Sequence, residues 1–83
     1  MYLHIGHDQT IHHRQIVAIV DRELLTRSPE TRQWFNRLRG LNQIYGDERE
    51  AKSLVIVDSG VYCSPISALT LLRRAAGHLG AEE

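Results

Sequence analysis

The sequence is short of cysteine, of net charge and of long apolar runs. Its single cysteine, Cys63, cannot form an internal disulfide, whereas a secreted domain of this size would usually need several. We therefore expect a reducing compartment and a cytoplasmic protein. The longest apolar runs, at 16–20 and 54–57, are too short to span a bilayer, so no membrane partner is expected. The 83 residues can bury one thin core, which predicts a single domain over residues 1–83 and favours self-association.

The sequence also lacks the motifs of common catalytic and cofactor sites. A glycine-rich phosphate loop, a CxxC pair and the glycine pattern of a nucleophile elbow are all absent. Cys63 falls inside a predicted strand, which favours a buried, inert thiol over a nucleophile. The only clustered carboxylates stand in a polar segment at 47–50, which is typical of a solvated loop. We predict no enzymatic activity, no cofactor and no small-molecule substrate.

Four of the five histidines are concentrated in the first 13 residues. Imidazole is a common zinc ligand, and Asp8 could add a carboxylate, so a metal-dependent hydrolase is one alternative. The adjacent His12 and His13 should point to opposite faces of a strand, which works against a shared site. We predict surface or interface histidines and no metal site. The four residues are His4, His7, His12 and His13.

Apolar patterns predict five short strands. Residues 2–6 alternate in polarity, 10–13 could pair back on them, and the β-branched run 16–20 predicts a central strand covered on both faces. Residues 54–57 form a second all-apolar run, and a short turn connects it to a hairpin partner at 61–63.

Two Ser-Pro pairs predict two helices, because serine can cap a helix and proline suits its first position. The first helix begins after Ser28 and ends near Gly40; the second begins after Ser64 and frays over 78–83. The first carries an apolar stripe at helical spacing, formed by Thr31, Trp34, Phe35, Leu38 and Leu41. The resulting order, β-β-β-α-β-β-α, predicts an α+β fold: a small, mostly antiparallel sheet with two helices.

Arginine supplies nearly all of the positive charge. Nine of the ten cationic residues are arginine, which binds phosphate bidentately, and only Lys52 is lysine. Residues 14–39 carry a net charge of +3, whereas residues 40–58 carry −2. Two interpretations stay open: a basic region that contacts phosphate, or a solvated helix face and subunit ion pairs with the acidic loop. The arginines of the basic region are Arg14, Arg22, Arg27, Arg32, Arg37 and Arg39.

Five segments, taken in order, carry a family resemblance. They read YLHIG (2–6), RQIVAIVD (14–21), KSLVIVD (52–58), VYCSPIS (61–67) and TL (70–71). This set resembles the RemA/RemB family of bacterial extracellular-matrix (biofilm) regulators, with RemB as the more similar branch. The resemblance extends to about Arg74.

The resemblance implies a LytTR-like fold, with subunits assembled into a closed ring that engages double-stranded DNA through basic residues repeated around it. In this family an arginine pair precedes the second hydrophobic strand, and Arg49 and Glu50 match that pair. Lys52 and Arg14 match two further basic positions. The candidate DNA-contacting residues are therefore Arg14, Arg49 and Lys52, to which we add Arg73 and Arg74 of the second predicted helix.

Together these observations predict an oligomeric, non-enzymatic DNA-binding transcriptional regulator of extracellular-matrix genes. The alternative is a ring-forming interaction or scaffold protein with little DNA affinity. Oligomerisation is expected from the small core, from the aromatic residues Tyr2 and Trp34, which we expect to be exposed, and from the resemblance. The acidic segment at 47–50 distinguishes the two functions. A ring can present a positively charged rim to DNA only where acidic residues do not cancel that charge.

Overall fold

The computed structural model describes residues 2–6 and 8–81, with side chains described as far as residue 77. Short 3-10 turns at His13–Gln15 and Glu48–Glu50 precede two of the strands. Along the chain the strands and helices are β1 (Tyr2–Gly6), β2 (Gln9–His12), β3 (Ile16–Asp21), α1 (Leu24–Arg27), α2 (Pro29–Gly40), β4 (Ile44–Tyr45), β5 (Ser53–Val57), β6 (Gly60–Ser64) and α3 (Ala68–Ala81).

The strands form two sheets. β1 and β2 pair as an antiparallel hairpin, and the other four strands lie in the order β3-β5-β6-β4. β3, β5 and β6 are antiparallel to one another, whereas β4 runs parallel to β6. The predicted α+β class is confirmed, but the predicted order was too simple. The single predicted sheet is two sheets, and the segment between the first predicted helix and residue 54, where no strand was predicted, contains the short strand β4. A third helix, the short α1, lies between β3 and α2 and was not predicted.

β5 is the central strand, and both of its faces are covered. Val55 and Val57 belong to a core shared with the β1–β2 hairpin and α3, in which Leu71 is fully buried. Leu54 points to the other face, because alternate residues of a strand face opposite sides, and there it shares a core with Phe35 of α2. Each fully buried side chain of this kind stabilises the fold by roughly 1.5–3 kcal/mol, so the four-stranded sheet is held from both sides.

The prediction that residues 16–20 form a central, doubly covered strand is wrong. β3 is an edge strand, since it pairs with β5 alone. A bulge interrupts the pairing between Ile16 and Ala18 and leaves the Val17 side chain 64% exposed. The apolar run reflects two half-covered faces, with Ile19 packed on one core and Val20 on the other.

The first Ser-Pro pair begins a helix, as predicted. The Ser28 hydroxyl accepts a hydrogen bond from the Thr31 amide at 3.2 Å, and Pro29 occupies the first turn. The helix includes Gly40, so Leu41 rather than Gly40 is its C-cap. Within the predicted stripe Phe35 is buried, but Leu41 is 65% exposed because it lies beyond the last helical turn.

The second Ser-Pro pair does not begin a helix. Ser64 is the last residue of β6, and its buried hydroxyl donates a hydrogen bond to the Ile5 carbonyl at 2.6 Å. α3 begins only at Ala68, where Ser67 accepts a hydrogen bond from the Thr70 amide. The predicted start of the helix is wrong because this serine is used to attach one sheet to the other.

Gly6 and Pro65 show why the hairpin can lie so close to the larger sheet. Gly6 has a φ of +109°, and a Cβ at this position would lie 2.8 Å from the Pro65 ring. Only glycine adopts this backbone conformation and leaves room for the proline. The Ser64-Pro65 pair therefore holds the end of β1 through one hydrogen bond and one close packing contact.

The C-terminal helix includes most of the predicted tail. α3 extends to Ala81, and residues 82 and 83, the last of the predicted frayed tail, lie outside the described residues. Within the described part of the chain, no helix has the length and apolar character needed to cross a membrane.

Candidate nucleic-acid interface

The five predicted DNA-contacting residues lie in three separate parts of the structure. Arg49 and Lys52 precede β5, Arg14 lies in the 3-10 turn before β3, and Arg73 and Arg74 lie on α3. The antiparallel pairing of β3 with β5 places Arg14 and Lys52 at opposite ends of that pair. At roughly 3.3 Å per residue, β3 alone separates them by about 20 Å. The five residues therefore do not form one cluster within a single subunit.

Lys52 has a firmly positioned backbone. Its amide donates a hydrogen bond to the Ser64 carbonyl at 2.7 Å, and its carbonyl accepts one from the Arg22 amide at 3.2 Å. The preceding residue, Ala51, is buried in the α2-side core. The Lys52 side chain is exposed, so it projects from a fixed point at the end of three strands.

Arg22 is a neighbour of Lys52 that the choice of site residues from the sequence missed. It follows β3 directly, and the register that pairs Asp21 with Ser53 brings it beside Lys52. Both side chains line an open groove of about 350 Å³, which we call the basic groove. Its lining residues are Asp21, Arg22, Glu23, Thr26, Ala51, Lys52 and Ser67. Antiparallel pairing of the two apolar runs was the signal that could have revealed Arg22.

The two acids of the basic groove are both engaged by their own neighbours. Asp21 accepts a hydrogen bond from the Glu23 amide at 2.8 Å, and the Glu23 carboxylate forms an ion pair with Arg27 at 3.1 Å. Neither Arg22 nor Lys52 forms an ion pair within the described residues. The positive charge of the groove is therefore accessible to an external anion.

Arg49 lies close to Lys52 in sequence but in a different environment. The Asp47 carboxylate accepts a hydrogen bond from the Arg49 amide at 2.9 Å and so caps the 3-10 turn. The same carboxylate lies 3.6 Å from the Arg49 guanidinium. The Arg49 side chain is 92% exposed. The Arg49 side chain is accessible to DNA, and the contact that positions its guanidinium is the 3.6 Å approach to Asp47.

The acidic loop is partly neutralised by Arg39 of α2. The Arg39 guanidinium donates two hydrogen bonds to the Glu48 carboxylate, at 2.6 and 3.3 Å, and a further one to Asn36. It also lies 5.2 Å from the centre of the Phe35 ring. The hydrogen bonds to Glu48 raise the pKa of Arg39 above its ordinary value. Of the two interpretations that the charge pattern left open, ion pairing with the acidic loop holds for Arg39, within one chain.

Arg14 is positioned by a histidine. The His12 Nδ1 accepts a hydrogen bond from the Arg14 amide at 3.1 Å, and the His12 ring meets the Tyr2 ring edge-on at 5.0 Å. Partial burial, followed by nearby positive charges that include Arg14, lowers the pKa of His12. The Arg14 side chain itself is exposed. The 3-10 turn therefore presents this arginine away from the basic groove.

The two arginines of α3 differ from each other. Arg74 donates a hydrogen bond to the His4 carbonyl at 3.2 Å, which ties α3 to β1. Arg73 is exposed and forms no ion pair within the described residues. Ser67, which precedes α3 and caps it, lines the basic groove, and Arg73 lies about 9 Å further along the helix axis at 1.5 Å per residue. Arg73 is therefore the better candidate of the two for a phosphate contact, because its side chain does not tie α3 to β1.

The other reactive side chains that the structure describes are not assembled into a site. Cys63 is buried, as expected, and burial raises the pKa of its thiol to about 11. Among residues 2–6 and 8–81, no group of three or more His, Cys, Asp or Glu side chains could hold a metal ion. His7, one of the four histidines considered as ligands, lies outside the described residues. Trp34, expected to be exposed, is half-buried in the α2-side core.

Comparison with protein families gives a match over most of the chain. The family model named RemA-like, with the description "Extracellular matrix regulatory protein A-like", matches residues 2–75. The matched range contains all five predicted DNA-contacting residues and the whole basic groove. The greater similarity to the RemB branch stays a prediction, since the match is to the family as a whole. No curated protein matches the chain.

Proposed function

The chain belongs to the RemA-like family of extracellular matrix regulatory proteins, and we propose that it regulates transcription of extracellular-matrix genes by binding double-stranded DNA. We propose further that it acts as a homo-oligomer, in the form of a closed ring, in the cytoplasm. Matrix regulation follows from the family. DNA binding, the closed ring and the cytoplasmic location are proposed in addition.

One observation carries the proposal of DNA binding. Lys52, one of the cations selected by the family resemblance, lies beside Arg22 in an exposed groove whose acids have other partners. Exposed cations of this kind bind backbone phosphates without reading sequence. The contribution of one subunit is small, but copies arranged around a ring would add their contacts along one duplex. A subunit with zero net charge can therefore still bind DNA.

The surface of the subunit supports self-association. β3 is an open sheet edge, and unpaired edges are ready to pair with another chain. Among the side chains that the structure describes, six large apolar ones are exposed and could be covered by a neighbouring subunit. They are Tyr2, Val17, Leu24, Leu41, Leu69 and Leu72. Contacts that differ on the two sides of each subunit close into a ring when the rotation allows it.

We propose that the role is non-enzymatic. The one thiol is buried, and its raised pKa keeps it protonated at neutral pH, so it is poorly suited to nucleophilic attack. The serine hydroxyls with defined partners have structural roles. Ser28 and Ser67 cap helices, Ser53 donates a hydrogen bond to the Ile66 carbonyl, and Ser64 donates one to the hairpin.

The decisive experiment measures assembly and DNA binding together. The mass of the protein is determined by light scattering with and without a short duplex of random sequence, at about 50 and about 200 mM salt. We expect an oligomer that binds the duplex, with affinity falling steeply as salt rises. A monomer at micromolar concentration would contradict the ring. Unchanged, salt-dependent binding by a variant carrying both R49A and K52A would place the DNA contacts elsewhere.

The acidic loop favours one alternative, a ring-forming scaffold with little DNA affinity. Asp47, Glu48 and Glu50 surround Arg49, and like charges near a phosphate weaken its binding. An oligomer that shows no binding to any duplex at about 50 mM salt would support the scaffold and exclude the regulator.

A further inference from the structure

We infer that the basic groove is a phosphodiester-binding subsite in which Arg22, a residue that the family resemblance did not select, acts together with Lys52. The inference rests on the proposed function, because the phosphodiester is a backbone phosphate of duplex DNA. It adds a specific pair of ligating side chains from two different strand ends.

The pair is held together by backbone structure rather than by side-chain contacts. The hydrogen bond from the Arg22 amide to the Lys52 carbonyl fixes the two Cα positions as neighbours. Lys52 is tied in turn to Ser64 at the end of β6. Both long side chains are exposed and line the same groove of about 350 Å³, so they can converge on one anion without a change in the backbone.

The two side chains differ in a way that suits a phosphate. The Arg22 guanidinium presents a planar fork that can donate two parallel hydrogen bonds to phosphate oxygens. The Lys52 ammonium is a compact charge that can approach the same phosphate from another direction. Thr26, on the groove wall, adds a hydroxyl that can donate to an oxygen. Ser67 is not counted as a ligand, because its hydroxyl is already hydrogen-bonded to Thr70.

The charge of the groove selects a diester over a monoester. The charged side chains of the groove together with Arg27, the partner of Glu23, leave a net charge of +1. A phosphodiester carries one negative charge, whereas a terminal phosphate carries between one and a half and two at neutral pH. The remaining carboxylate, Asp21, would repel the second charge of a monoester. The groove therefore matches an internal backbone phosphate better than a free phosphate group.

The test compares three arginine variants for binding to a short duplex of random sequence. R22A removes the fork, R22K keeps the charge but not the fork, and R37A is the matched control. Arg37 is an exposed arginine of α2 with no ion pair within the described residues, and it does not line the basic groove. Circular dichroism and light scattering establish that each variant keeps its fold and its mass.

We expect R22A to weaken binding by about tenfold and to lower the salt slope by about one for each contacting subunit. R22K should keep the slope and lose part of the affinity, and R37A should behave as the unmodified protein. Equal binding by R22A and R37A would overturn the inference while leaving the proposed DNA-binding function in place.

A second arm separates the two sources of phosphate and separates failure of the subsite from failure of the proposed function. Amide NMR shifts of Arg22, Lys52 and Thr26 are followed during titration with inorganic phosphate and, separately, with the duplex. Shifts that saturate with the duplex at lower concentration than with phosphate, and that R22A abolishes, support the inference. Shifts with phosphate alone, in a protein that binds no duplex, would overturn both the diester assignment and the proposed function.

Discussion

Two neighbouring arginines of this chain have opposite electrostatic environments. Arg39, at the end of α2, and Arg22, after β3, both line a small cavity of about 70 Å³ beside Cys63. Arg39 is bound to Glu48 and Asn36, whereas Arg22 has no ion pair within the described residues. The comparison shows that the number of arginines does not determine how much positive charge a protein can offer to a partner. The placement of the acids determines it.

The difference has a structural cause. α2 ends beside the loop that precedes β5, so its last turn faces the acidic 3-10 turn and Arg39 meets Glu48. Arg22 lies at the junction of β3 and α1, where Glu23 is held by Arg27, four residues further on the same segment. We call these the paired region, around Arg39 and Glu48, and the open region, around Arg22 and Lys52.

The largest expected effect concerns how firmly each region is attached. The Lys52 amide of the open region donates a hydrogen bond to the Ser64 carbonyl, and Ser28 caps the helix that ends at the paired region. S64A removes the buried hydroxyl that satisfies the Ile5 carbonyl next to the open region, and it should cost about 2 kcal/mol of unfolding free energy. S28A removes the N-cap of α2, the helix whose last turn carries Arg39 of the paired region, and should cost about 1 kcal/mol. Urea unfolding of the two variants measures the difference. A greater loss in S28A would show that α2, rather than the hairpin attachment, limits stability.

The second effect is the difference in duplex affinity lost when each of two cations of the same loop is removed. K52A should weaken duplex binding by about tenfold, because Lys52 projects from a fixed backbone and has no ion pair within the described part of the chain. R49A should weaken binding by less than about threefold, because this side chain is highly exposed and lies near Asp47. Retardation of duplex DNA at two salt concentrations checks both values. The reverse order would mean that the match to the family arginine pair, rather than local geometry, identifies the main contact.

The third effect would convert the paired region into an open one. E48Q leaves Arg39 without its carboxylate partner beside Arg22, so duplex affinity should rise by about threefold and the salt slope should steepen. Stability should fall by less than about 1 kcal/mol, because the ion pair is largely exposed.

E30Q is the control for E48Q, because it removes an equal charge from the first turn of α2 without freeing an arginine. Equal gains in the two variants would show that net charge alone controls binding, and the distinction between the regions would not hold.

The sequence predicted the class of the fold and the first helix because those depend on local signals. The alternation of 2–6, the apolar run of β5 and the Ser28 cap each act within a few residues, and each is confirmed. The edge position of β3 and the use of Ser64 could not be predicted, because both depend on contacts distant in sequence. Ser64 binds Ile5, 59 residues away.

In the candidate site, too, the contacts between residues distant in sequence could not be predicted. Its residue types were evident from the arginine content, and Lys52 was selected through the resemblance. Arg22 was counted only as part of a basic region, because its proximity to Lys52 depends on the register of β3 and β5. The neutralisation of Arg39 by Glu48 likewise depends on a contact between a helix end and a loop.

The smallest effect concerns Arg14, at the far end of β3, whose amide is held by His12. The pKa of His12 in the folded protein is below its ordinary value of 6.5, so protonation opposes folding. The stabilising contribution is complete above about pH 6.5 and is lost as the pH falls through the lower folded-state pKa. Asparagine can accept the same amide hydrogen bond but does not titrate. H12N should therefore lose less stability than the unmodified protein between about pH 7.5 and about pH 5.5 in urea unfolding, while H13N, its control, should follow the unmodified protein. Parallel curves for H12N and the unmodified protein would show that His12 does not hold the Arg14 turn.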